Sequence, residues 1–310
     1  MSQTTDTILM IRPASFGFNE ETAGSNAFQK NLPQSSAEVS GKAIEEFDGF
    51  VKALQAAGIN VIVIEDTKDP PKPDAVFPNN WFSTHILDNN EKLIVTYPMQ
   101  SHLRRQEVRE DVINDLIKEY GYSHIRLDQN DGTEDETFLE GTGSIVFDHI
   151  LKKAYAALSP RTDNELLGSL CRRIGYEQIV FSATDRTGQQ VYHTNVILTI
   201  GESFAVICTD MIRDENEKVN VITKIGEGGR EIISISEKQV NNFAGNMIQL
   251  NSKEGKKVLV MSKTALESLE EDQKEKLQKH NHNIVTANIK TIETIGGGSA
   301  RCMIAEIFHQ

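Results

Sequence analysis

Residues 295–303 read Ile-Gly-Gly-Gly-Ser-Ala-Arg-Cys-Met, a run of three glycines followed closely by a cysteine. Glycine adopts positive φ angles at little cost and lets other groups approach the main chain closely, so this run predicts a sharp bend. Cys302 is displayed by the bend, and the neighbouring Arg301 favours the thiolate form of its side chain. The segment therefore indicates a nucleophilic thiolate. The alternative is a glycine turn followed by an inert cysteine, because free cysteines are often core residues.

The overall composition limits the classes of function. The chain has 310 residues and a formal net charge of −13, from 32 Lys and Arg against 45 Asp and Glu. This acidic balance argues against nucleic acid and anionic membrane surfaces as partners, but it permits a cationic or zwitterionic small molecule. The longest apolar stretches have the length of strands, and the first residues lack a basic, apolar leader. We therefore predict a cytoplasmic protein that does not span a membrane.

Cysteine usage indicates the same compartment. Cys171, Cys208 and Cys302 are an odd number of widely spaced cysteines, which is typical of a reducing environment without a disulfide framework. Cys171 lies among leucines in a predicted helix and Cys208 ends an apolar strand, so both have the pattern of core residues. No CxxC or CxxH spacing indicates structural zinc, and we predict no metal and no cofactor.

Short apolar segments alternate with amphipathic helical segments in a β-β-α-β rhythm that recurs along the chain. Apolar residues at helical spacing predict helices at 39–57, 104–120, 163–174 and 263–279. The strand candidates are 7–11, 60–64, 92–96, 144–147, 153–158, 178–181, 196–200, 204–208, 231–235, 247–250, 257–261 and 283–287. No low-complexity linker interrupts this rhythm, so one α/β domain over residues 1–310 is the simplest organisation.

Three other loop segments concentrate polar residues beside predicted strands, where catalytic groups are often found. The first contains Asp74, Asn79 and Asn80. Their carboxylate and amide groups suit a planar, nitrogen-rich ligand, because amides both donate and accept hydrogen bonds. The alternative is a Pro-Asn turn before a strand.

The second and third segments supply an acid and a base. Glu140 is followed by two glycines within residues 141–143, so it either orients a histidine or lies in a tight hairpin. His193 enters an apolar strand beside Asn195, and it either relays protons near neutral pH or is a half-buried structural histidine. With Cys302, these residues make a set of nucleophile, base and orienting acid. Such a set can attack a carbon that is flanked by nitrogens.

In their order along the chain, these segments resemble the guanidino-group-modifying, or pentein, superfamily. Its members include arginine deiminase, dimethylarginine dimethylaminohydrolase and the amidinotransferases. Residues 73–80 are similar to the Pro-Asp-x-Val-Phe segment of the dimethylarginine enzymes, and residues 296–303 are similar to the Gly-Gly-Gly-x-x-Arg-Cys-Met ending of the deiminases. The remaining similar segments are residues 104–108, 139–143, 159–162 and 193–195.

The resemblance implies a fold and a catalytic set. The fold is a five-bladed α/β-propeller, the pentein fold, in which ββαβ units are related by pseudo-fivefold symmetry. Cys302 is then the nucleophile, His193 the general acid and base, and Glu140 its partner.

The resemblance also implies which residues recognise the substrate. Arg105 and Arg161, with Arg104 as a further candidate, are expected to bind a substrate α-carboxylate through charge-assisted hydrogen bonds. Without the resemblance, these arginines are typical of a solvated face. Asp74 and the asparagines of the polar loops are the expected contacts for the reacting end.

Several positions depart from the family pattern. Asn79, Asn80 and Asn195 stand where arginine deiminases have carboxylates that pair with a guanidinium, and only Asp74 and Glu140 keep a carboxylate. A buried guanidinium without anionic partners is costly, whereas a neutral ureido group needs the donors and acceptors that asparagine supplies. We therefore expect a ureido substrate, with citrulline hydrolysed to ornithine, ammonia and carbon dioxide.

The N-terminal segment agrees with this expectation. Residues 10–13 and 16–29 resemble the opening of bacterial citrulline-utilising hydrolases of the superfamily. Residues 16–29 form either a lid over the substrate or a loop pinned by its phenylalanines.

Other functions fit the same residues. Within the superfamily, the alternatives are a deiminase or dimethylarginine hydrolase that acts on a guanidinium, and an amidinotransferase that needs an amine acceptor. The non-enzymatic alternative is a catalytically silent pentein that binds a ligand, although the catalytic set argues against it. The expected partner is a small molecule, with no nucleic acid and no membrane, and the sequence leaves a homo-oligomer open.

Overall fold

A computed structural model of the chain describes residues 2–24, 26–31, 33, 35–128 and 137–309. The strands are β1 (Thr7–Arg12), β2 (Asn60–Glu65), β3 (Phe82–Ile86), β4 (Lys92–Thr96), β5 (Ser123–Arg126), β6 (Val146–Asp148), β7 (Lys153–Ala157), β8 (Glu177–Phe181), β9 (Leu198–Ile200), β10 (Phe204–Ile207), β11 (Glu231–Ser234), β12 (Ile248–Asn251), β13 (Lys257–Ser262), β14 (Asn283–Ala287) and β15 (Ala305–Glu306). The helices are α1 (Ser36–Ala56), α2 (His102–Arg105), α3 (Glu110–Tyr120), α4 (Gly141–Ser144), α5 (Asn164–Ile174), α6 (Glu215–Gly226), α7 (Glu237–Val240), α8 (Lys263–Ser268), α9 (Glu271–His280) and α10 (Lys290–Gly296). Short 3₁₀ turns lie at Pro78–Asn80, Thr194–Val196 and Thr209–Met211.

The strands of the described residues form five sheets of three strands each. β3 pairs antiparallel with β4, and β4 pairs in parallel with β5. The same order of one antiparallel and one parallel pair recurs in the sheets β6-β7-β8, β9-β10-β11 and β12-β13-β14. A helix lies between the two strands of each parallel pair, because parallel strands need a crossover connection. The chain thus repeats a ββαβ unit.

The first and last strands share one sheet. β1 pairs in parallel with β2 and antiparallel with β15, where Leu9 lies opposite Ala305. This sheet therefore has the same pattern as the others, with one strand supplied from the far end of the chain. The predicted α/β class is confirmed, and the described sheets agree with the predicted ββαβ units. The arrangement of these units around a pseudo-fivefold axis, and the single domain over residues 1–310, stay predictions.

Two predicted helices are each divided in two. The predicted helix at 104–120 becomes α2 and α3, because the chain is extended at Arg109 (φ −109°, ψ 96°). α3 then begins with acidic residues, whose charges favour a helix N-terminus. The predicted helix at 263–279 becomes α8 and α9, because Glu270 and Gln273 form a capping box that starts a new helix.

Several elements are not predicted from the sequence, among them β3, β5, α6 and α10. α6 is set by its cap: Asp214 accepts hydrogen bonds from the backbone N–H groups of Asn216 and Glu217. Its buried residues are Val221 and Ile225, so the apolar periodicity of this segment is weak. The sequence of α6 therefore lacks the apolar pattern from which the other long helices are predicted.

α1 shows how apolar periodicity builds the core around the C-terminal segment. The buried residues of α1 recur at helical spacing, as predicted, and they are Val39, Ala43, Phe47, Phe50, Val51 and Leu54. They belong to a cluster that also contains Cys302 and Met303. Full burial of one such large apolar side chain contributes about 1.5–3 kcal/mol. The core therefore holds one side of the cysteine-bearing segment.

None of the helices in the described ranges is long and apolar enough to cross a membrane. In the same residues, no group of three or more His, Cys, Asp or Glu side chains is placed to hold a metal ion. The predicted cytoplasmic location and the predicted lack of a cofactor stay predictions.

Two buried histidines make stability depend on pH. His85 Nε2 lies 2.7 Å from Ser83 Oγ, and His149 Nδ1 lies 2.8 Å from the hydroxyl oxygen of Tyr176. Burial lowers the pKa of His85 to about 3, and burial also lowers the pKa of His149 well below its usual value of 6.5. These pKa values return to about 6.5 on unfolding. At pH values near and below 6.5, the unfolded chain therefore binds more protons than the native chain.

We expect the free energy of unfolding to decrease as the pH falls from about 7 to about 5, by up to about 1.4 kcal/mol per pH unit for each histidine. Urea unfolding at a series of pH values measures this slope. The variant His85→Gln cannot titrate at this position and should show a shallower slope. Equal slopes in the wild type and the variant would contradict the role of His85.

Candidate active site

The glycine run shapes the segment that carries Cys302. α10 ends at Gly296 and is capped by Gly297, whose φ of +65° is left-handed. A Cβ at Gly297 would lie 2.6 Å from the amide nitrogen of Asn26, and a Cβ at Gly298 would lie 2.7 Å from the Phe77 ring. Larger residues are therefore excluded by conformation and by space at Gly297, and by space at Gly298. Beyond this bend, Cys302 is buried, with an exposed fraction of 3%.

Side chains fix the rest of this segment. The Ser299 hydroxyl donates to Glu293 Oε1 over 2.6 Å, and the Thr264 hydroxyl donates to Glu293 Oε2 over 2.7 Å. The Arg301 guanidinium donates to the Ile304 carbonyl over 2.7 Å and to a Glu306 carboxylate oxygen over 2.9 Å. Arg301 was expected to favour the Cys302 thiolate through its positive charge. In the structure its guanidinium is instead paired with the Glu306 carboxylate.

The hydrogen-bond donors to the Cys302 sulfur are neutral amides. Asn246 Nδ2 lies 3.2 Å and Asn195 Nδ2 lies 3.7 Å from Sγ. Asn195 lies in the 3₁₀ turn directly after His193 and was expected in the site. Asn246 was missed by the sequence analysis. The residue that marks its position in the sequence is the preceding Gly245. Only glycine fits there, because a Cβ would lie 2.2 Å from the carbonyl oxygen of Val196.

His193 and Glu140 form a buried pair. His193 Nε2 lies 2.7 Å from Glu140 Oε2, and both side chains are almost completely buried. An ionised carboxylate only accepts hydrogen bonds, so Nε2 carries the proton and Nδ1 is the ring atom left to exchange one. Gly143 makes room for this ring, because a Cβ there would lie 2.8 Å from His193 Nδ1.

The charges around this pair set its protonation. Burial lowers the pKa of His193 to about 4, although Glu140 opposes this change. Burial alone would raise the pKa of Glu140, but Arg161, His193 and Arg104 outweigh it and hold that pKa well below its usual range. At neutral pH the pair is therefore a neutral imidazole beside a carboxylate.

Asp74 carries a carboxylate oxygen that is free to accept. Its Oδ2 accepts from the Asn19 amide over 2.8 Å and lies 3.9 Å from Arg104 Nε. Its Oδ1 is buried and has no hydrogen-bond partner among the described residues. Burial raises the pKa of Asp74, against the opposing effects of Arg104 and Asn19.

Arg104 is part of the wall of the site. Its Nε and Nη2 donate to the two Glu107 carboxylate oxygens over 3.0 and 2.9 Å. With the Asn80 amide oriented so that both of its atoms find partners, its oxygen accepts from Arg104 Nη1 over 2.7 Å and its nitrogen donates to Asn79 Oδ1 over 3.1 Å. Arg104, Asn79 and Asn80 are thus bonded to protein groups.

The two other predicted arginines lie in different places. Arg161 Nη1 lies 3.5 Å from Glu140 Oε2, and its guanidinium lies over the Tyr192 ring at 5.0 Å. Arg105 instead donates to the backbone carbonyl oxygens of Met99, over 2.8 Å, and of Gln100, over 3.3 Å.

One pocket brings most of the predicted residues together. The predicted site residues that line it are Asp74, Asn80, Arg104, Arg161, His193 and Cys302. Glu140 lies behind His193 and Asn195 lies beside Cys302, whereas Asn79 and Arg105 are not among the described lining residues. Thr22 and Asn26 also line the pocket, so the N-terminal segment forms part of its wall, and the choice between a lid and a pinned loop over residues 16–29 stays a prediction. Position 25 of that segment lies outside the described residues.

A sequence comparison identifies the family of the chain. The sequence profile of the eukaryotic N,N dimethylarginine dimethylhydrolase family matches residues 12–309. The chain belongs to this family. Its predicted place in the guanidino-group-modifying superfamily is thereby confirmed. No curated protein matches the sequence.

Solved structures share the fold of this dimethylhydrolase family member. The N-terminal domain of ArgZ, a cyanobacterial arginine dihydrolase, was solved as a cysteine-to-serine variant bound to substrate; it is 17% identical, with a TM-score of 0.74 and 98% of each chain covered. A cysteine-to-alanine variant of AgrE with L-arginine is 18% identical, with a TM-score of 0.72, 98% of this chain covered and 40% of that one. A dimethylarginine dimethylaminohydrolase in adduct with S-methyl-L-thiocitrulline is 14% identical, with a TM-score of 0.66 and 98% and 100% covered.

Proposed function

We propose that this dimethylhydrolase family member is a cysteine-dependent hydrolase that cleaves a C–N bond of a guanidino amino acid, arginine or a methylated arginine. One observation carries the proposal: Cys302, Asp74 and His193 line one pocket, with Glu140 bonded to His193 and with Asp74 Oδ1 unpartnered among the described residues. The family match and the structures of an arginine dihydrolase and a dimethylarginine dimethylaminohydrolase support a guanidino substrate. They favour it over citrulline, which the sequence analysis had preferred.

The state of Asp74 supports a cationic substrate. Burial raises the pKa of its carboxyl, which means that the carboxylate lacks sufficient positive charge around it. A guanidinium placed beside Oδ1 would donate an N–H and supply that charge. A buried carboxylate paired in this way is much less costly than an unpaired one.

The proposed chemistry has two halves. In the first, the Cys302 thiol proton passes to His193 Nδ1, Sγ bonds to the guanidino carbon, and the departing amine takes that proton as its C–N bond breaks. In the second, His193 takes a proton from water and hydroxide adds to the carbon. The C–S bond then breaks and returns its electrons to Sγ, which takes the proton back from His193, while the hydroxyl proton leaves to solvent as the C=O bond forms. In both halves, Glu140 accepts a hydrogen bond from His193 Nε2–H and so stabilises the imidazolium without taking up the proton.

Arg161 is the arginine best placed to bind the substrate α-carboxylate. It lines the pocket, and its guanidinium suits a carboxylate through charge-assisted hydrogen bonds. Arg104 is bonded to Glu107 and acts as a positioning residue for Asp74 and Glu140. Arg105 is bonded to backbone carbonyl oxygens and is not among the described lining residues, so we assign it no contact with substrate.

Citrulline remains the second candidate substrate because of the amides around the sulfur. Asn80 lines the pocket, and Asn195 and Asn246 lie within hydrogen-bond distance of Cys302. These neutral groups both donate and accept, as a ureido group requires. The products would then be ornithine, ammonia and carbon dioxide.

The test is to incubate the purified chain separately with arginine, asymmetric dimethylarginine and citrulline, and to assay citrulline, ornithine, ammonia and dimethylamine. We expect a guanidino substrate to be consumed with release of ammonia or dimethylamine. Consumption of citrulline alone would replace the first candidate by the second. Transfer of an amidino group to an added amine would instead support an amidinotransferase, and a chain that consumes none of these substrates would support a binding protein.

A further inference from the structure

The amide of Asn246 is fixed with its nitrogen toward the Cys302 sulfur. The side chain is completely buried. Its Oδ1 accepts the backbone N–H of Arg301 over 3.1 Å, so the oxygen and nitrogen of the amide cannot exchange places without losing this bond. On the other side, Nδ2 lies 3.1 Å from the Asn195 carbonyl oxygen and 3.2 Å from Sγ. The two hydrogens of Nδ2 therefore have one acceptor each.

A hydrogen bond of this kind favours the charged form of the sulfur. A thiol sulfur is a weak acceptor, whereas hydrogen bonds to ionised acceptors are roughly twice as strong as neutral ones. We propose that Asn246 is a catalytic residue that stabilises the attacking Cys302 thiolate and fixes its position. The inference rests on the proposed role of Cys302 as nucleophile, and it does not depend on which substrate is used.

A neutral donor suits this site better than a cation. The Arg301 guanidinium, next to Cys302 in sequence, is bonded to Glu306, so it does not serve the sulfur. A positive side chain beside Sγ would repel an incoming guanidinium, whereas an amide stabilises the thiolate without adding charge. The charged or titratable side chains that share the pocket with Cys302 are Asp74, Arg104, Arg161, Tyr192 and His193.

Asn195 provides a graded comparison. Its Nδ2 lies 3.7 Å from Sγ and 3.1 Å from the Thr142 carbonyl oxygen. The longer distance predicts a weaker bond to the sulfur, because hydrogen bonds weaken beyond their usual length. Removal of Asn195 should therefore change the reactivity of Cys302 less than removal of Asn246.

The experiment measures thiolate reactivity without substrate. Iodoacetamide alkylates a thiolate with loss of iodide, and peptide mass spectrometry follows Cys302 alone. In Asn246→Asp, which keeps the shape and the acceptor for Arg301 N–H, we expect the alkylation rate at about pH 7 to fall roughly threefold to tenfold, since the remaining thiolate is somewhat more nucleophilic. Asn195→Ala should lose less. Asn251→Asp, at the end of β12 and bonded to Thr4, is the matched control and should react like the wild type.

A second measurement covers the case of slow access to the buried thiol. Ultraviolet thiolate absorbance, taken as the difference from Cys302→Ser, should decrease in Asn246→Asp by a larger factor than the alkylation rate, because it reports the thiolate fraction alone. Folded Asn246→Asp with the wild-type alkylation rate and thiolate absorbance would overturn the inference. If the wild type consumes no substrate but the variant loses thiolate, the proposed function and the catalytic role of Asn246 both fail, and only the stabilisation of the Cys302 thiolate by Asn246 stands.

Discussion

Replacing Cys302 by serine is expected to abolish turnover, with a loss in kcat of at least about 10⁴-fold. Serine keeps the size of the side chain and a hydroxyl that can bond with the Asn246 and Asn195 amides. It does not provide a thiolate, because a hydroxyl ionises far less readily than a thiol. The fold should remain intact, since the change replaces a single buried atom. Assays with the best substrate, together with circular dichroism and thermal unfolding, measure both effects.

The other cysteines supply the control. Cys171 lies on the buried face of α5, and burial raises the pKa of its thiol to about 12. Neither Cys171 nor Cys208 is among the described residues that line the pocket, and burial raises the pKa of the Cys208 thiol to about 11. Cys171→Ser should therefore keep turnover within a few-fold of the wild type. Turnover by Cys302→Ser within about tenfold of the wild type would remove the nucleophile role from Cys302.

Asp74→Asn is expected to separate the two candidate substrates. The variant removes the negative charge but keeps the side-chain shape. Loss of a charge-assisted bond to a guanidinium should lower kcat/KM for arginine by roughly 10²- to 10³-fold. A neutral ureido group loses only an ordinary hydrogen bond, so kcat/KM for citrulline should fall much less. Steady-state kinetics with both substrates give the ratio.

The control for this prediction is Asp111→Asn, an exposed residue in the first turn of α3. It should leave the ratio of the two substrates unchanged. If Asp74→Asn lowers kcat/KM equally for both substrates, Asp74 maintains the structure of the pocket and does not bind the charged group of the substrate. An unchanged kcat/KM for arginine would place guanidinium recognition elsewhere.

The catalytic candidates could be predicted from the sequence, whereas the residue that donates a hydrogen bond to the Cys302 sulfur, Asn246, could not. Cys302, Glu140 and His193 each stand out locally, because Cys302 follows the run of glycines, Glu140 precedes the glycines at 141 and 143, and His193 enters an apolar segment. The structure brings them to one pocket with the expected His–Glu pairing. Asn246 could not be recognised in this way, because a single asparagine before a strand is also typical of a turn. Its meaning depends on the long-range approach of Gly245 to Val196.

Neighbouring residues of one type were harder to distinguish. Arg104 and Arg105 follow one another in α2, yet Arg104 faces Glu107 and the pocket, whereas Arg105 faces the backbone at Met99. The direction of each side chain is set by the position of α2, which sequence spacing does not reveal. Asn79 and Asn80 likewise bond with each other and with protein groups. Counting asparagines therefore overstated the neutral character of the surface offered to substrate.

The pairing of β1 with β15 has a consequence for how the protein folds. Leu9 and Ala305 lie opposite each other although nearly the whole chain separates them, and Cys302 lies three residues before the start of β15. Contacts of such high sequence separation form late, because closing a long loop costs entropy before any contact compensates it. The reactive thiol is thus positioned among its amides only when the two distant strands have met. Until then, a partly folded chain holds the parts of the catalytic set without their activity.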